Sequence, residues 1–182
     1  KMAAGLGAKV TVLDVNLNRL RYLDEIMPAN VHTLMSNPHT IRDAVRRADL
    51  VISSVLKRGD KAPCLIDRKL ISEMRKGAVI VDVAIDQGGS VETSRPTTHE
   101  DPTYVVDGVV HYCVTNMPGA VARTSTYALT NATLPYILLL ANLGYEKAIE
   151  EQYCLRQSLN MLRGDLVIQE VAKCFQLPWK EI

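Results

Sequence analysis

Apolar residues along this chain come in two patterns: short runs without polar alternation, and stretches where they recur every three or four positions. The runs cover residues 10–14, 50–56, 79–85 and 109–114, and they suit strands covered on both faces, as in a parallel sheet. Between them, Leu17, Leu20, Leu23 and Ile26 repeat with the spacing of a surface helix that Pro28 stops. Residues 31–34 predict a brief strand, and Ser36-Asn37-Pro38 reads as the cap and first position of a helix over 40–47. Residues 68–74 predict another helix, with Gly77 beyond its end. Residues 90–107 form an irregular stretch, about as long as loops become without a functional reason. From 125 to 143 the pattern is helical and largely apolar, kinked at Pro135 and ended by Gly144. Residues 145–162 and 168–175 predict further helices. Strands alternating with helices imply an α/β, doubly wound parallel sheet with right-handed crossovers, followed here by a helical carboxyl-terminal segment.

In such sheets ligands bind beyond the carboxyl ends of the strands. The run Val79-Ile80-Val81-Asp82-Val83-Ala84-Ile85 stops at Asp86-Gln87-Gly88-Gly89, which places a carboxylate where chemistry is expected. Asp86 serves equally as a turn residue before the two glycines. Val10-Thr11-Val12-Leu13 likewise ends in Asp14, which reads as a helix cap or as a carboxylate for ribose hydroxyls. The strand over 109–114 runs into Thr115-Asn116-Met117-Pro118-Gly119, where Asn116 is either a turn residue or a donor and acceptor for a ligand. Asp82, inside an apolar run, reads as a satisfied buried carboxylate, and His111 as a packed strand residue. His99 in the long loop is structural or borders the site.

Composition narrows the partners. The net charge of +1, from 21 basic and 20 acidic residues spread along the chain, gives no reason to expect nucleic acid. Four dispersed cysteines with no Cys-x-x-Cys and no zinc spacing predict a reduced, cytoplasmic setting without a structural metal. The longest apolar stretch, 132–143, contains Pro135 and falls short of the about 20 residues of a membrane span. Residues 1–8 read as the last turns of a helix with no start signal before them, so a piece of something longer is expected.

The order Val-Asp-Val-Ala-Ile-Asp-Gln-Gly-Gly at 81–89, Thr97-Thr98-His99, Gly108-Val109-Val110-His111-Tyr112 and Asn116-Met117-Pro118-Gly119-Ala120-Val121 closely resembles bacterial alanine dehydrogenases. The related transhydrogenase subunits share the layout, and the Ile-Asp-Gln-Gly-Gly form with Asp86 favours the former. The resemblance implies reversible oxidative deamination of L-alanine to pyruvate and ammonium with NAD, in a two-domain subunit of a hexamer. It also implies that residues 1–118 are part of an NAD-binding Rossmann domain and that 119–182 return to the substrate domain. Carried over position by position, Asp14 holds the adenine ribose and Arg19 lies over the adenine side, while Ser36, Val55 and Leu56 line the groove. Val83, Ala84, Ile85, Asp86, Arg95, Val114, Thr115, Asn116 and Met117 contact the dinucleotide. Asp86 is the acid/base residue.

The family's glycine-rich loop, first strand, substrate-binding arginine and lysine, and catalytic histidine have no counterpart in these residues. Without that strand, which is central in the order 3-2-1-4-5-6, the strands at Val10 and Leu50 are expected to lose a shared neighbour. The isolated chain is accordingly expected to be inactive. Two readings stand beside the enzyme: a non-catalytic nucleotide-binding or interaction module, and a transhydrogenase-type nucleotide domain.

Overall fold

The computed structural model describes every residue except Leu56, Arg58 and Ile182. The chain divides into two compact units, one of Lys1–Val55 and Pro63–Val114, the other of Leu56–Ala62 and Thr115–Ile182.

The first unit opens with α1 (Met2–Gly5), β1 (Val10–Asp14), α2 (Leu17–Ile26), β2 (Val31–Met35) and α3 (Pro38–Arg47). It continues with β3 (Leu50–Ser53), α4 (Arg68–Ser72), β4 (Val79–Asp82), β5 (Thr103–Val106) and β6 (Val109–Tyr112). The capping signal before α3 is realised in full. Asn37 Oδ1 accepts from the backbone of His39 and Thr40, Thr40 Oγ1 accepts from Asn37 N, and Pro38 occupies the first turn, where its missing N–H costs nothing. Asn16, not Asp14, caps α2: its side chain accepts from Arg19 N, while Asp14 Oδ1 accepts from Asn16 N in the turn before it.

β1 pairs with β2 in parallel, with Val10 opposite Val31 and Asp14 opposite Met35. β3, β4 and β6 are also parallel neighbours, and β5 adds an antiparallel edge to give the order β3-β4-β6-β5. The expected parallel architecture is therefore present in two pieces. Among the described residues β1 bonds only β2 and β3 bonds only β4, so neither has the shared neighbour whose loss the sequence implied. The buried core lies under the larger sheet, where Val45, Ile66, Leu70, Ile71, Met74, Ala78, Ile80, Val91 and Val109 form one cluster. Ile71, Ile80 and Val109 are completely buried, each worth about 1.5–3 kcal/mol.

Four local expectations are corrected. The strand before Asp86 ends at Asp82, because the Asp82 side chain takes the Ala84 N–H and turns residues 83–87 into a 3₁₀ helix. The irregular stretch contains β5, whose alternating burial against β6 is that of a half-exposed edge strand. In the second unit, α5 (Ala122–Glu151) keeps helical backbone at Pro135 and breaks at Gly144 (φ 72°, ψ 165°). The predicted helix over 145–162 is also interrupted. It becomes the end of α5, then α6 (Tyr153–Ser158), then a hairpin of β7 (Met161–Leu162) and β8 (Asp165–Leu166), before α7 (Gln169–Phe175). Among the described residues no helix is long and apolar enough to cross a membrane.

Candidate functional site

Most of the sequence-predicted residues sit immediately after the carboxyl ends of parallel strands. Asp14 closes β1 and is half-buried, and its backbone carbonyl accepts from Ser36 N at 2.9 Å, which brings two candidates together where β1 and β2 end. Arg19, exposed in the first turn of α2, lies over the Tyr22 ring at 5.1 Å. Val55 follows β3 and is half-buried; Leu56 lies outside the described residues.

Beyond β4 the chain forms a closed loop built on Asp82. This carboxylate is fully buried and accepts five hydrogen bonds. Oδ1 takes Ala84 N (3.1 Å) and Ser90 Oγ (3.3 Å); Oδ2 takes Ser90 N (2.9 Å), Val91 N (3.3 Å) and Ser94 Oγ (2.7 Å). The 3₁₀ helix Val83–Gln87 thus starts on Asp82, and the chain returns to the same carboxylate after Gly88 and Gly89, both left-handed (φ 92° and 76°). A Cβ on Gly89 would stand 3.0 Å from Asp82 Oδ2 and 3.1 Å from Ser94 Cβ, so glycine is required by space as well as by backbone. Ser90 also shares a hydrogen bond with Ser53 Oγ at the end of β3, and its carbonyl accepts from Leu65 N. Ala84 and Ile85 point inward and are buried, whereas Val83 and Asp86 are exposed. Gln87 Oε1 is buried without a hydrogen-bond partner among the described residues.

Arg95 is held by Tyr104 rather than by a strand end. Its N–H donates to Tyr104 Oη (2.8 Å), and its guanidinium lies 4.1 Å from the ring centroid. Tyr104 Oη donates to the Thr93 carbonyl, and the ring stacks on His111 at 5.1 Å. Burial and the contact with Cys113 push the Tyr104 hydroxyl up to about 12. His111 is completely buried, with Nδ1 at Val109 O (3.0 Å) and Nε2 at Thr93 Oγ1 (2.8 Å). Burial holds its imidazole below the ordinary value. It is a packed residue, as its strand position implied. Arg95 borders an open depression shared with Arg68, Glu92, Tyr104 and Asp107, and no other candidate lines it.

Val114, completely buried, closes the first unit with a bridge to Thr97. Thr115, Asn116 and Met117 open the second unit. There Asn116 adopts left-handed backbone (φ 55°) before a 3₁₀ turn, and its carbonyl accepts from Gly119 N. No group of three or more His, Cys, Asp or Glu able to hold a metal occurs among the described residues. Sequence reasoning passed over Ser90 and Ser94. The signal available was their spacing: hydroxyls eight and twelve residues after a carboxylate, on the far side of a Gly-Gly turn.

The sequence profile of the family described as "Alanine dehydrogenase/PNT, C-terminal domain" matches residues 1–169. An alanine dehydrogenase of Methanococcus maripaludis is 56% identical over 180 residues, which is 98% of this chain and 48% of that protein. Among solved structures, an L-alanine dehydrogenase superposes with a TM-score of 0.82 at 51% identity, covering 96% of this chain and 48% of its own. The transhydrogenase from Sinorhizobium meliloti gives a TM-score of 0.60 at 25% identity over 69% of this chain and 35% of its own. The chain thus spans about half the length of the curated relatives it matches.

Proposed function

The chain belongs to the alanine dehydrogenase/PNT C-terminal domain family, and on that premise we propose that it is the NAD-binding half of an L-alanine dehydrogenase. The enzyme interconverts L-alanine with pyruvate and ammonium, as a cytoplasmic homo-oligomer of hexameric type. The observation that carries this reading is the alignment of candidate side chains with the carboxyl ends of parallel strands: Asp14 at the end of β1, Ser36 after β2, Val55 after β3, and Val83 to Asp86 after β4. That rim is where a doubly wound sheet receives a dinucleotide.

The residues present fit the coenzyme. Asp14 has one oxygen engaged by Asn16 N and offers a carboxylate to adenine-ribose hydroxyls, with Ser36 adjacent. Its charge opposes a 2'-phosphate, which favours NAD over NADP. Arg95, stacked on Tyr104 beside a depression that no other candidate lines, is assigned to a phosphate by the family resemblance alone. The family resemblance alone assigns Val114, Thr115, Asn116 and Met117 to the nicotinamide end. When bound, NAD supplies the acceptor for the hydride that leaves the alanine carbon. Asp86 is exposed at the end of a short helix in which Ala84 and Ile85 are buried, so its carboxylate is presented to a ligand and can act as the acid/base group toward the amine or a water and stabilise positive charge on the substrate nitrogen. Substrate recognition falls to the half of the enzyme outside this chain, so the chain alone is expected to turn nothing over.

The test joins the chain to the half of the M. maripaludis relative that lies outside the match. Coenzyme reduction is then measured against a panel of amino acids. Alanine-dependent NADH formation with little activity on NADP is the expected result. Hydride exchange between nicotinamides with indifference to alanine would transfer the assignment to the transhydrogenase branch, and absence of coenzyme binding would overturn both.

A further inference from the structure

We infer that Asp82 is a positioning residue for Asp86, holding the loop that carries it in a single conformation from the end of β4. The inference rests on the reading of Asp86 as the acid/base group. The two carboxylates stand four residues apart and have opposite environments: Asp82 is completely buried and Asp86 is exposed. Between them the chain makes one 3₁₀ turn, whose first N–H, from Ala84, is taken by Asp82. Beyond Asp86 the chain reverses through Gly88 and Gly89, and Ser90 N and Val91 N come back to the other oxygen of the same carboxylate. One side chain therefore fixes both ends of the segment on which Asp86 rides.

The remaining contacts tie this hub to the body of the unit. Ser94 Oγ bonds Asp82 Oδ2, and Cys113 Sγ lies 3.6 Å from Ser94 Oγ, which reaches the end of β6. Ser90 Oγ bonds both Asp82 and Ser53, at the end of β3. Asp82 thus links the ends of three neighbouring parallel strands to the loop above β4. Every contact it makes is with an N–H or O–H donor, and an amide in its place would present N–H groups to donors, forcing at least one pair apart. The 3.0 Å approach of a Gly89 Cβ to Asp82 Oδ2 shows how closely the turn is wrapped on this carboxylate.

The experiment compares Asp82→Asn, Asp86→Asn and the double variant in the enzyme joined to its complementary half, with amide exchange over residues 83–91 as a second readout. Asp82→Asn should lower kcat by about 100-fold, the order expected of an ångström-scale misplacement. Exchange over 83–91 should rise while that over β3 and β6 stays unchanged. In the Asp86→Asn background, the same change should lower kcat by less than about threefold, because its target is already gone. Ser94→Ala, which removes one of the five bonds, should move both readouts the same way by a smaller amount and serves if Asp82→Asn does not fold. Equal losses of kcat in both backgrounds, or unchanged exchange over 83–91, would overturn the inference. Full activity of Asp86→Asn would overturn the reading of Asp86 and this inference with it, whereas unchanged exchange over 83–91 leaves the reading of Asp86 standing.

Discussion

The β1–β2 pair and the β3-β4-β6-β5 sheet follow the same parallel logic and end their strands in the same kinds of side chain, yet they differ in what lies beneath them. Under the larger sheet nine apolar residues form one buried cluster, and the Asp86 loop is closed on a buried carboxylate. Around the pair, among the described residues only Ala4, Leu20 and Val31 are buried, and Asp14 and Ser36 stand where its two strands end. A two-stranded ribbon is marginal by itself. The comparison teaches that the proposed ribose end and the proposed acid/base end of the coenzyme groove are held with very different firmness.

Core truncation gives the largest expected contrast. Ile80→Ala, at a completely buried position of β4, should cost about 2–5 kcal/mol. Val12→Ala, half-buried in β1, should cost roughly half as much or less. Urea unfolding of the two variants decides; equal costs would show that the regions are equally well supported.

Glycine substitutions sharpen the point. Gly89 (φ 76°) and Gly7 (φ 86°) both have left-handed backbone, but nothing lies within 4 Å of a Cβ at Gly7. Gly7→Ala should therefore carry only the conformational cost of about 1–2 kcal/mol. Gly89→Ala adds a collision with Asp82 and should exceed it. If the two unfolding midpoints shift alike, the loop is less tightly wrapped than its distances imply.

The larger sheet also carries a pH dependence. Burial holds the folded imidazole of His111 below its ordinary 6.5, so as pH falls the unfolded chain takes up the proton first. The stability it contributes is complete above 6.5 and drains away below it, as pH falls through the folded value. Unfolding midpoints between about pH 8 and pH 5 should fall less steeply in His111→Gln than in the parent chain. An unchanged slope would assign the effect to other groups.

How much of this was legible in the sequence depends on range. Asn37-Pro38 announced α3 because a cap is decided within four residues, and the apolar runs announced parallel strands because burial on both faces leaves no alternation. The end of β4 was misplaced at Asp86 for the opposite reason. Val83, Ala84 and Ile85 look like strand, and only the tertiary donors Ser90, Val91 and Ser94 show that Asp82 has already turned the chain. Asp14 was legible as a rim carboxylate, but its competing role as a cap was settled by Asn16, two residues on. Arg95 was a candidate only through the family likeness, and its packing on Tyr104, nine residues away on an edge strand within the irregular stretch, had no local signal.

The smallest effect concerns the seam between the two regions. Arg42 and Arg46 on α3, which follows β2, reach Glu73 at the end of α4, at 2.5 Å and 3.3 Å. These side chains are partly exposed, and such pairs are weak and screened by salt. The hydrogen bond from Arg42 holds the Glu73 carboxyl below its ordinary range, so the stability it gives is present above that range and lost as pH falls through the lowered value. If the β1–β2 pair leans on the larger sheet through this contact, Glu73→Gln should raise amide exchange in β1 and β2 while leaving β4 and β6 unmoved. The difference should vanish in about 1 M salt. A variant that loosens all four strands together would mean that the two sheets open as one cooperative unit, and the contrast drawn between them would then describe packing without describing local stability.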